Sequence, residues 1–209
     1  NRLALQSDLL AASVLNIKNL LILSGDHPKN GDHPDAKPVY DLDSTQLIHA
    51  ASGLNSGRDM SGNNLDGSTD FCIGAVVNPT VEPIELQMIP MKKKIEAGAY
   101  FFQTQVAFDM QPFKNLVNYL EQNGLRNNIK IIGGVFLLKS LKMIEFMKKI
   151  PCVTIPESII ERITKSENQL NEGIKICAEN IREIKKILDG VHIMAINSEE
   201  LIPDILSKI

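Results

Sequence analysis

The stretch Ile22-Leu23-Ser24-Gly25-Asp26-His27-Pro28 decides the fold, because it joins an apolar run directly to a small acidic turn. The four residues from Leu20 to Leu23 are all apolar and run into a glycine breaker, which predicts a buried strand. A carboxylate just after a buried parallel strand occupies the position where α/β enzymes carry their working groups. The stretch therefore predicts an enzyme and indicates which end of the sheet holds its site.

The same pattern, a short apolar strand followed by a polar turn, returns four more times. Including the first strand at 19–23, strands are predicted at 71–77, 100–105, 129–136 (interrupted by Gly133-Gly134) and 191–196. Polar loops are predicted at 24–40 and 53–70. Helices are predicted at 1–15, 44–54, 82–97, 112–122, 140–149, 156–164, 171–188 and 201–209. Asp43 is the expected cap of the second helix, and Pro156 is expected at the first position of the sixth. Pro90 is expected to kink the third helix or to mark its start.

Strands that alternate with helices predict a parallel sheet. The spacing of about one strand per 40 residues is close to that of a βα barrel. We therefore predict an α/β fold, a (β/α)8 TIM barrel, of which residues 1–209 supply the last five βα units. Because five strands cannot close an eight-stranded barrel, about three further units are expected upstream. The chain is then the C-terminal portion of a single catalytic domain.

Composition narrows the classes of partner. The net charge of −3 provides no basic surface, so no nucleic-acid partner is expected. No apolar run approaches the roughly 20 residues that span a bilayer, so no membrane partner is expected either. The cysteines are odd in number, far apart and set in apolar runs, which favours buried free thiols in a cytoplasmic protein: Cys72, Cys152 and Cys177.

Residues just past each strand of a parallel barrel converge on one face. In this chain they form a polar set with a single carboxylate, without a Ser-His-Asp arrangement at recognisable spacing and without a GxxxxGK phosphate motif. The set comprises Ser24, Gly25, Asp26, His27, Asn78, Gln105, Phe136 and Asn197.

Several of these residues allow two interpretations. Asp26 is either a functional carboxylate or a turn residue that satisfies backbone N–H groups. Gln105 shares a strand face with Gln103, which indicates either a polar barrel interior or an amide satisfied by backbone. The repeat of Gly25-Asp26-His27-Pro28 as residues 31–34 favours a solvated loop over a metal site. Lys94 is either a solvated helix end or a phosphate clamp.

Taken in order, the motifs resemble the methylenetetrahydrofolate reductase family over nearly the whole chain. The opening helix before the Gly-Asp strand is also similar. The motifs that carry the resemblance are Ser24-Gly25-Asp26-His27-Pro28, Ile73-Gly74-Ala75-Val76-Val77-Asn78-Pro79, Lys94-Ile95-Glu96-Ala97-Gly98-Ala99, Gln103-Thr104-Gln105 and Phe108-Asp109.

The resemblance implies a cytoplasmic flavoprotein of one-carbon metabolism and methionine biosynthesis. It implies reduction of 5,10-methylenetetrahydrofolate to 5-methyltetrahydrofolate by hydride transfer from reduced flavin. The flavin would be FAD, with FMN as the alternative, and NAD(P)H or a protein electron donor would reduce it. No metal is implied. A folate substrate and a homo-oligomer or larger complex are the expected partners.

The same resemblance assigns roles to individual residues. Asp26 would be catalytic, lying near both the flavin and the folate pterin, where an anion would tune the flavin potential. Gln105 would hydrogen-bond the pterin. The remaining cofactor contacts would be Ser24, Gly25, Tyr40, Asn78 and Lys94.

The chain departs from the family pattern at several positions. Asn78-Pro79 stands where the family often has Tyr-Pro, Glu82 where it has His, and Ser24 where it has Arg. The general-acid glutamate of the family lies on its first strand, so no residue of this chain takes that role. A catalytically silent barrel fragment or subunit, docked in a larger pterin or corrinoid one-carbon complex, is the alternative function. Another pterin- or corrinoid-linked barrel enzyme is a third.

Overall fold

The structure, a computed structural model, describes residues 1–150 and 153–209 and forms two compact units. Unit 1 comprises Asn1–Val76 and Met88–Phe102, and unit 2 comprises Val77–Gln87 and Gln103–Ile209. Of the three cysteines, Cys177 is buried, Cys72 is half-buried, and both are free thiols. The predicted burial of Cys152 lies outside the described residues. Among the described residues, no helix combines the length and apolar content that crossing a bilayer would require.

Strands and helices alternate as the sequence predicts, and all five expected strands are present. The sheet has the order β1-β2-β3-β4-β5. Its strands are β1 (Asn19–Ile22), β2 (Cys72–Val77), β3 (Phe101–Val106), β4 (Lys130–Phe136) and β5 (Gly190–Met194). The helices are α1 (Arg2–Val14), α2 (Ser44–Asn55), α3 (Glu85–Ala97), α4 (Gln111–Gln122), α5 (Leu141–Met147), α6 (Glu157–Lys165), α7 (Gln169–Ile184) and α8 (Ile202–Leu206).

Unit 1 places the carboxyl ends of β1 and β2 side by side. The two strands pair in parallel, with Ile22 opposite Ala75. The predicted cap of α2 is confirmed as a reciprocal capping box, in which Asp43 accepts from the Gln46 N–H and the Gln46 side chain accepts from the Asp43 N–H. At the other end of α2, Asn55 hydrogen-bonds both backbone groups of Phe71, which fixes the entry into β2.

Unit 2 corrects the prediction that glycines interrupt β4, because the strand is continuous. A Cβ on Gly133 would lie 2.7 Å from a methyl carbon of Ile184, and one on Gly134 would lie 2.8 Å from the Thr104 carbonyl oxygen. The two glycines therefore admit close neighbours on opposite faces of the strand rather than breaking it. Strand β4 pairs in parallel with β5, with Gly134 opposite His192.

Several helix boundaries in unit 2 also differ from the prediction, since α5 ends at Met147 rather than at 149 and α8 ends at Leu206 rather than at 209. Pro156 is the N-cap of α6 rather than its first helical residue, because its ψ of 141° is extended. The helix α7 ends at Ile184, and Leu188 follows in a turn. The buried face of α7 comprises Ile174, Cys177, Ala178, Ile181 and Ile184. Burial raises the pKa of the Cys177 thiol to about 12.

A polar cluster fastens the amino ends of β4 and β5. Asp189 accepts from the Ile131 N–H at 2.9 Å, and its own N–H donates to the Ile131 carbonyl. The same carboxylate pairs with Arg126 at 2.8 Å and with Lys130 at 3.2 Å. The cluster thus ties the turn before β5 to the first residues of β4.

Candidate functional site

The turn after β1 carries the carboxylate that the sequence singles out. Ser24, Gly25 and Asp26 directly follow this strand and are exposed. Gly25 has a φ of +66°, a conformation that favours glycine, and a Cβ placed there would have no atom within 4 Å. Asp26 makes no hydrogen bond or ion pair with any other described residue. Its carboxylate is therefore available to a ligand rather than committed to the turn.

Lys94 lies beside that turn, within unit 1. Its Nζ donates to the Val76 carbonyl at 3.1 Å, near the carboxyl end of β2. Since Ala75 is opposite Ile22, this ammonium lies next to the point where the chain leaves β1. Lys92 and Lys93 are exposed, whereas Lys94 is half-buried.

The surroundings of Lys94 also shift the pKa of its ammonium group. Desolvation lowers its pKa, and the charge of Asp43 acts in the opposite direction. Lys94 forms no ion pair with any carboxylate in the described part of the chain. Of the two interpretations offered by the sequence, a solvated helix end does not fit a half-buried ammonium. Its role as a phosphate clamp stays a prediction, with which a half-buried ammonium without an ion pair is compatible.

Tyr40 also belongs to unit 1. Its φ of +47° places it in the left-handed region, and 72% of the residue is exposed. Its ring centroid lies 6.4 Å from that of His27, with the rings tilted by 48°. The His27 Nδ1 accepts from the Lys29 N–H, so this ring is used within its own turn. Across residues 1–150 and 153–209, no three His, Cys, Asp or Glu side chains form a metal-binding group.

Unit 2 holds the other two predicted site residues, and both have local partners. The Asn78 side-chain oxygen accepts from the N–H and the hydroxyl of Thr80, which orders the turn after β2. The Gln105 side-chain oxygen accepts from the Val106 N–H at 3.2 Å. Backbone therefore satisfies the oxygen of Gln105, as one of its two interpretations expects. Among the described residues, its amide nitrogen has no partner.

A cavity of about 1030 Å³ opens in unit 2 where the chain leaves β2 and β3. The Phe108 ring and several prolines form its apolar walls. The ionisable residues in its lining are Glu82 and Asp109, both exposed carboxylates. Asp109 accepts from the Gln111 N–H at 2.9 Å and so orders the start of α4. The cavity has the size of a small-molecule site.

Three polar contacts of unit 2 were not identified from the sequence. The Gln103 Nε2 lies 2.6 Å from the His192 Nδ1. The Thr104 hydroxyl accepts from the Gly134 N–H at 2.9 Å. Lys139 donates to the Ser198 hydroxyl at 2.5 Å and joins the segments after β4 and β5. The alternation of β5 could have indicated His192, because it shares a face with Met194.

Two groups of predicted residues thus emerge, each within its own unit. Unit 1 brings together the Ser24–Asp26 turn and Lys94, with Tyr40 on the following loop. Unit 2 contains Asn78 and Gln105. A common rim that joins Asp26 to Gln105 stays a prediction.

These features define the class of the protein, an α/β fold whose parallel strands deliver polar residues at their carboxyl ends. The family described as methylenetetrahydrofolate reductase matches residues 1–209, and the chain belongs to this family. The family resemblance expected from the motifs is therefore confirmed.

Individual relatives agree with this assignment. Methylenetetrahydrofolate reductase 2 of Schizosaccharomyces pombe is 29% identical over 94% of the chain, which covers 32% of that protein. A probable methylenetetrahydrofolate reductase (NADPH) of Caenorhabditis elegans is 23% identical over 95% of the chain, which covers 29% of it. The chain thus spans about a third of the length of these relatives.

A solved structure supports the fold. It is a Clostridium thermocellum protein described as binding two copies of 5-methyl-5,6,7,8-tetrahydrofolic acid, similar with a TM-score of 0.59 and 18% identity. The match covers 91% of this chain and 70% of that one. The five-stranded α/β architecture is therefore one that a solved protein shares.

Proposed function

We propose that the chain forms part of a flavin-dependent methylenetetrahydrofolate reductase that reduces 5,10-methylenetetrahydrofolate to 5-methyltetrahydrofolate. The observation that carries this proposal is the half-buried Lys94 ammonium beside the exposed Ser24–Asp26 turn. Membership of the family over the whole chain supports it. In this proposal the five strands belong to a (β/α)8 barrel, and the bound flavin supplies the hydride.

The residues of unit 1 fit a flavin nucleotide. Lys94 uses one of its three N–H groups on the Val76 carbonyl, which leaves two for phosphate oxygens. Gly25 leaves the backbone of the turn open to a ligand. The free Asp26 carboxylate would disfavour additional negative charge on a reduced ring and so tune its potential. Ser24, Tyr40 and Asn78 are the remaining residues proposed to contact the flavin.

The residues of unit 2 fit the folate. The hydrogen bond that the Gln105 side-chain oxygen accepts fixes the orientation of the amide. Its N–H groups are then available to an acceptor on the pterin. The large cavity after β2 and β3, which Gln105 itself does not line, has apolar walls suited to an aromatic part of such a ligand. The Clostridium thermocellum protein of similar fold is described as binding a methylated tetrahydrofolate, which supports the same ligand class here.

The remaining parts of the proposal concern the setting of the reaction. FAD is the flavin we favour over FMN, with NAD(P)H or a protein donor as reductant. We further propose that the protein is cytoplasmic, forms a homo-oligomer or larger complex and serves methionine biosynthesis. None of the residues assigned above takes the role of the general acid in this proposal.

A flavin measurement on the purified protein tests the proposal. We expect a bound flavin, identified as FAD by mass after extraction, that is bleached by anaerobic dithionite and restored by methylenetetrahydrofolate. Lys94→Met should weaken flavin binding at least about tenfold, since it removes a charge-assisted contact to phosphate. Lys93→Met, which alters the exposed neighbour, should leave flavin binding unchanged.

Asp26→Asn separates binding from chemistry. This variant should retain flavin and lose reduction of the folate, because it keeps the shape of the side chain and removes its charge. A wild-type protein without flavin would refute the proposal. A protein that binds 5-methyltetrahydrofolate but never reoxidises its flavin with methylenetetrahydrofolate would instead support a catalytically silent subunit.

A further inference from the structure

A hydrogen bond joins two strands that are not neighbours in the sheet. The Gln103 side chain on β3 reaches His192 on β5, with 2.6 Å between the amide nitrogen and Nδ1. Strand β4 lies between them, and the residue opposite His192 is Gly134. A Cβ there would lie 2.8 Å from both the Met194 methyl carbon and the Thr104 carbonyl oxygen. The pair therefore spans a strand at a position where only glycine fits.

The hydrogen bond determines which ring nitrogen of His192 carries the proton. A carboxamide nitrogen can donate but cannot accept, so the His192 Nδ1 must be the acceptor. In the neutral ring the single proton then lies on Nε2. Gln103 thereby converts His192 into a hydrogen-bond donor with a fixed orientation.

The pair lies on the face of the sheet that carries Gln105. Side chains two residues apart on a strand share a face, which groups Gln103 with Gln105. On the other face of β3, Thr104 and Val106 are buried. His192 itself is half-buried. His192, as the partner of Gln103, thus lies on the same face of the sheet as Gln105, the residue assigned to the pterin.

We propose that His192 is an additional ligand-binding residue, whose Nε2–H donates to an acceptor atom, a carbonyl oxygen or ring nitrogen, of the bound pteridine. Gln103 is a positioning residue, because it acts only through the tautomer and orientation of His192. This inference rests on the proposed function and deepens it by adding a donor to the folate site.

Two measurements on the purified protein test the inference. Nitrogen NMR of the histidine side chains, which needs no ligand, should show the His192 Nδ1 unprotonated and Nε2 protonated. Titration with 5-methyltetrahydrofolate should then give about tenfold weaker binding for His192→Phe, the loss expected for one hydrogen bond. His33→Phe alters an exposed loop histidine and should bind like the wild type.

Gln103→Met tests whether Gln103 affects ligand binding, which a purely structural role would not. It should weaken binding about twofold, because the freed ring samples both tautomers and presents the Nε2–H about half of the time. The double variant Gln103→Met/His192→Phe should bind no more weakly than His192→Phe alone, since Gln103 has nothing left to position. Thermal denaturation of each variant checks that it is folded.

The contrary results are equally specific. A protonated Nδ1 in the wild type, or additive losses in the double variant, would overturn the positioning role of Gln103. Wild-type affinity in folded His192→Phe would overturn the binding role of His192 and leave the proposed function intact. A wild type that binds no 5-methyltetrahydrofolate would refute both.

Discussion

Replacing Gly173 with alanine tests how closely helix α7 packs against the end of strand β4. Gly173 lies inside α7 and is buried. A Cβ placed there would lie 2.0 Å from the Leu138 carbonyl oxygen and 2.9 Å from its carbonyl carbon. Both neighbours are backbone atoms, so no side-chain rotation can relieve the clash.

Two opposing effects set the size of the change. Alanine is favoured over glycine inside a helix by about 1 kcal/mol. Against this, restoring normal contact requires a displacement of about 1 Å, and such overpacking in a core costs about 1–3 kcal/mol or more. Because the obstacle is rigid backbone, we take the upper value and expect a net destabilisation of about 2 kcal/mol. For a chain of this length that corresponds to a fall in Tm of roughly 4–8 °C.

Thermal and urea denaturation followed by circular dichroism measure this change. Gly53→Ala is the matched control, because Gly53 also lies inside a helix and its Cβ would lie 3.3 Å from the Arg58 carbonyl oxygen. It should leave stability within about 0.5 kcal/mol of the wild type. A Gly173→Ala protein as stable as the wild type, or more stable, would show that α7 does not pack this closely.

Three further predictions concern stability and reactivity. The hydrogen bond from Arg2 lowers the pKa of Asp41 to about 2, so the ion pair stabilises α1 above the ordinary pKa near 3.8 and the stabilisation disappears as the pH falls toward 2. A carboxyl NMR titration should show this pKa, and Arg2→Ala should raise it only part of the way to its ordinary range, because the backbone N–H of residue 2 still donates to Asp41. Cys177 should resist iodoacetamide at neutral pH until the protein unfolds, because burial raises the pKa of its thiol to about 12. Peptide mass spectrometry should find the half-buried Cys72 modified earlier than Cys177. Asn55→Ala should cost about 2 kcal/mol in urea denaturation, because the side chain makes three partly buried hydrogen bonds.

Local chemistry made much of the fold predictable. The apolar run before Ser24 and the Asp43 cap are signals contained in a few adjacent residues, and both elements form where expected. The predicted burial of the first strand is wrong, however, because only Ile22 is buried and Leu21 and Leu23 are exposed. Gly133-Gly134 misled the prediction, because a glycine pair looks the same in sequence whether it breaks a strand or admits close neighbours. Only the packing of Ile184 and Thr104 against the two faces distinguishes these cases.

The sequence named candidate site positions, which stay predictions, but it did not indicate their contacts. The rule that ligand residues follow parallel strands led to Asp26, and the family motif led to Lys94. The hydrogen bond of Lys94 to Val76, and the pairing of Gln103 with His192, join residues 18 and 89 positions apart. Such contacts depend on strand register and on a glycine opposite His192, which no local pattern encodes.

The Asp189 cluster has a consequence for how this chain can diverge. It secures β4 and β5 at their amino ends, whereas the candidate ligand contacts lie toward the carboxyl ends of the strands. Substitutions at the carboxyl ends can alter the chemistry of the site, while the contacts at the amino ends keep the strands folded. Tolerance of mutations and the capacity for new chemistry therefore depend on opposite ends of the same strands.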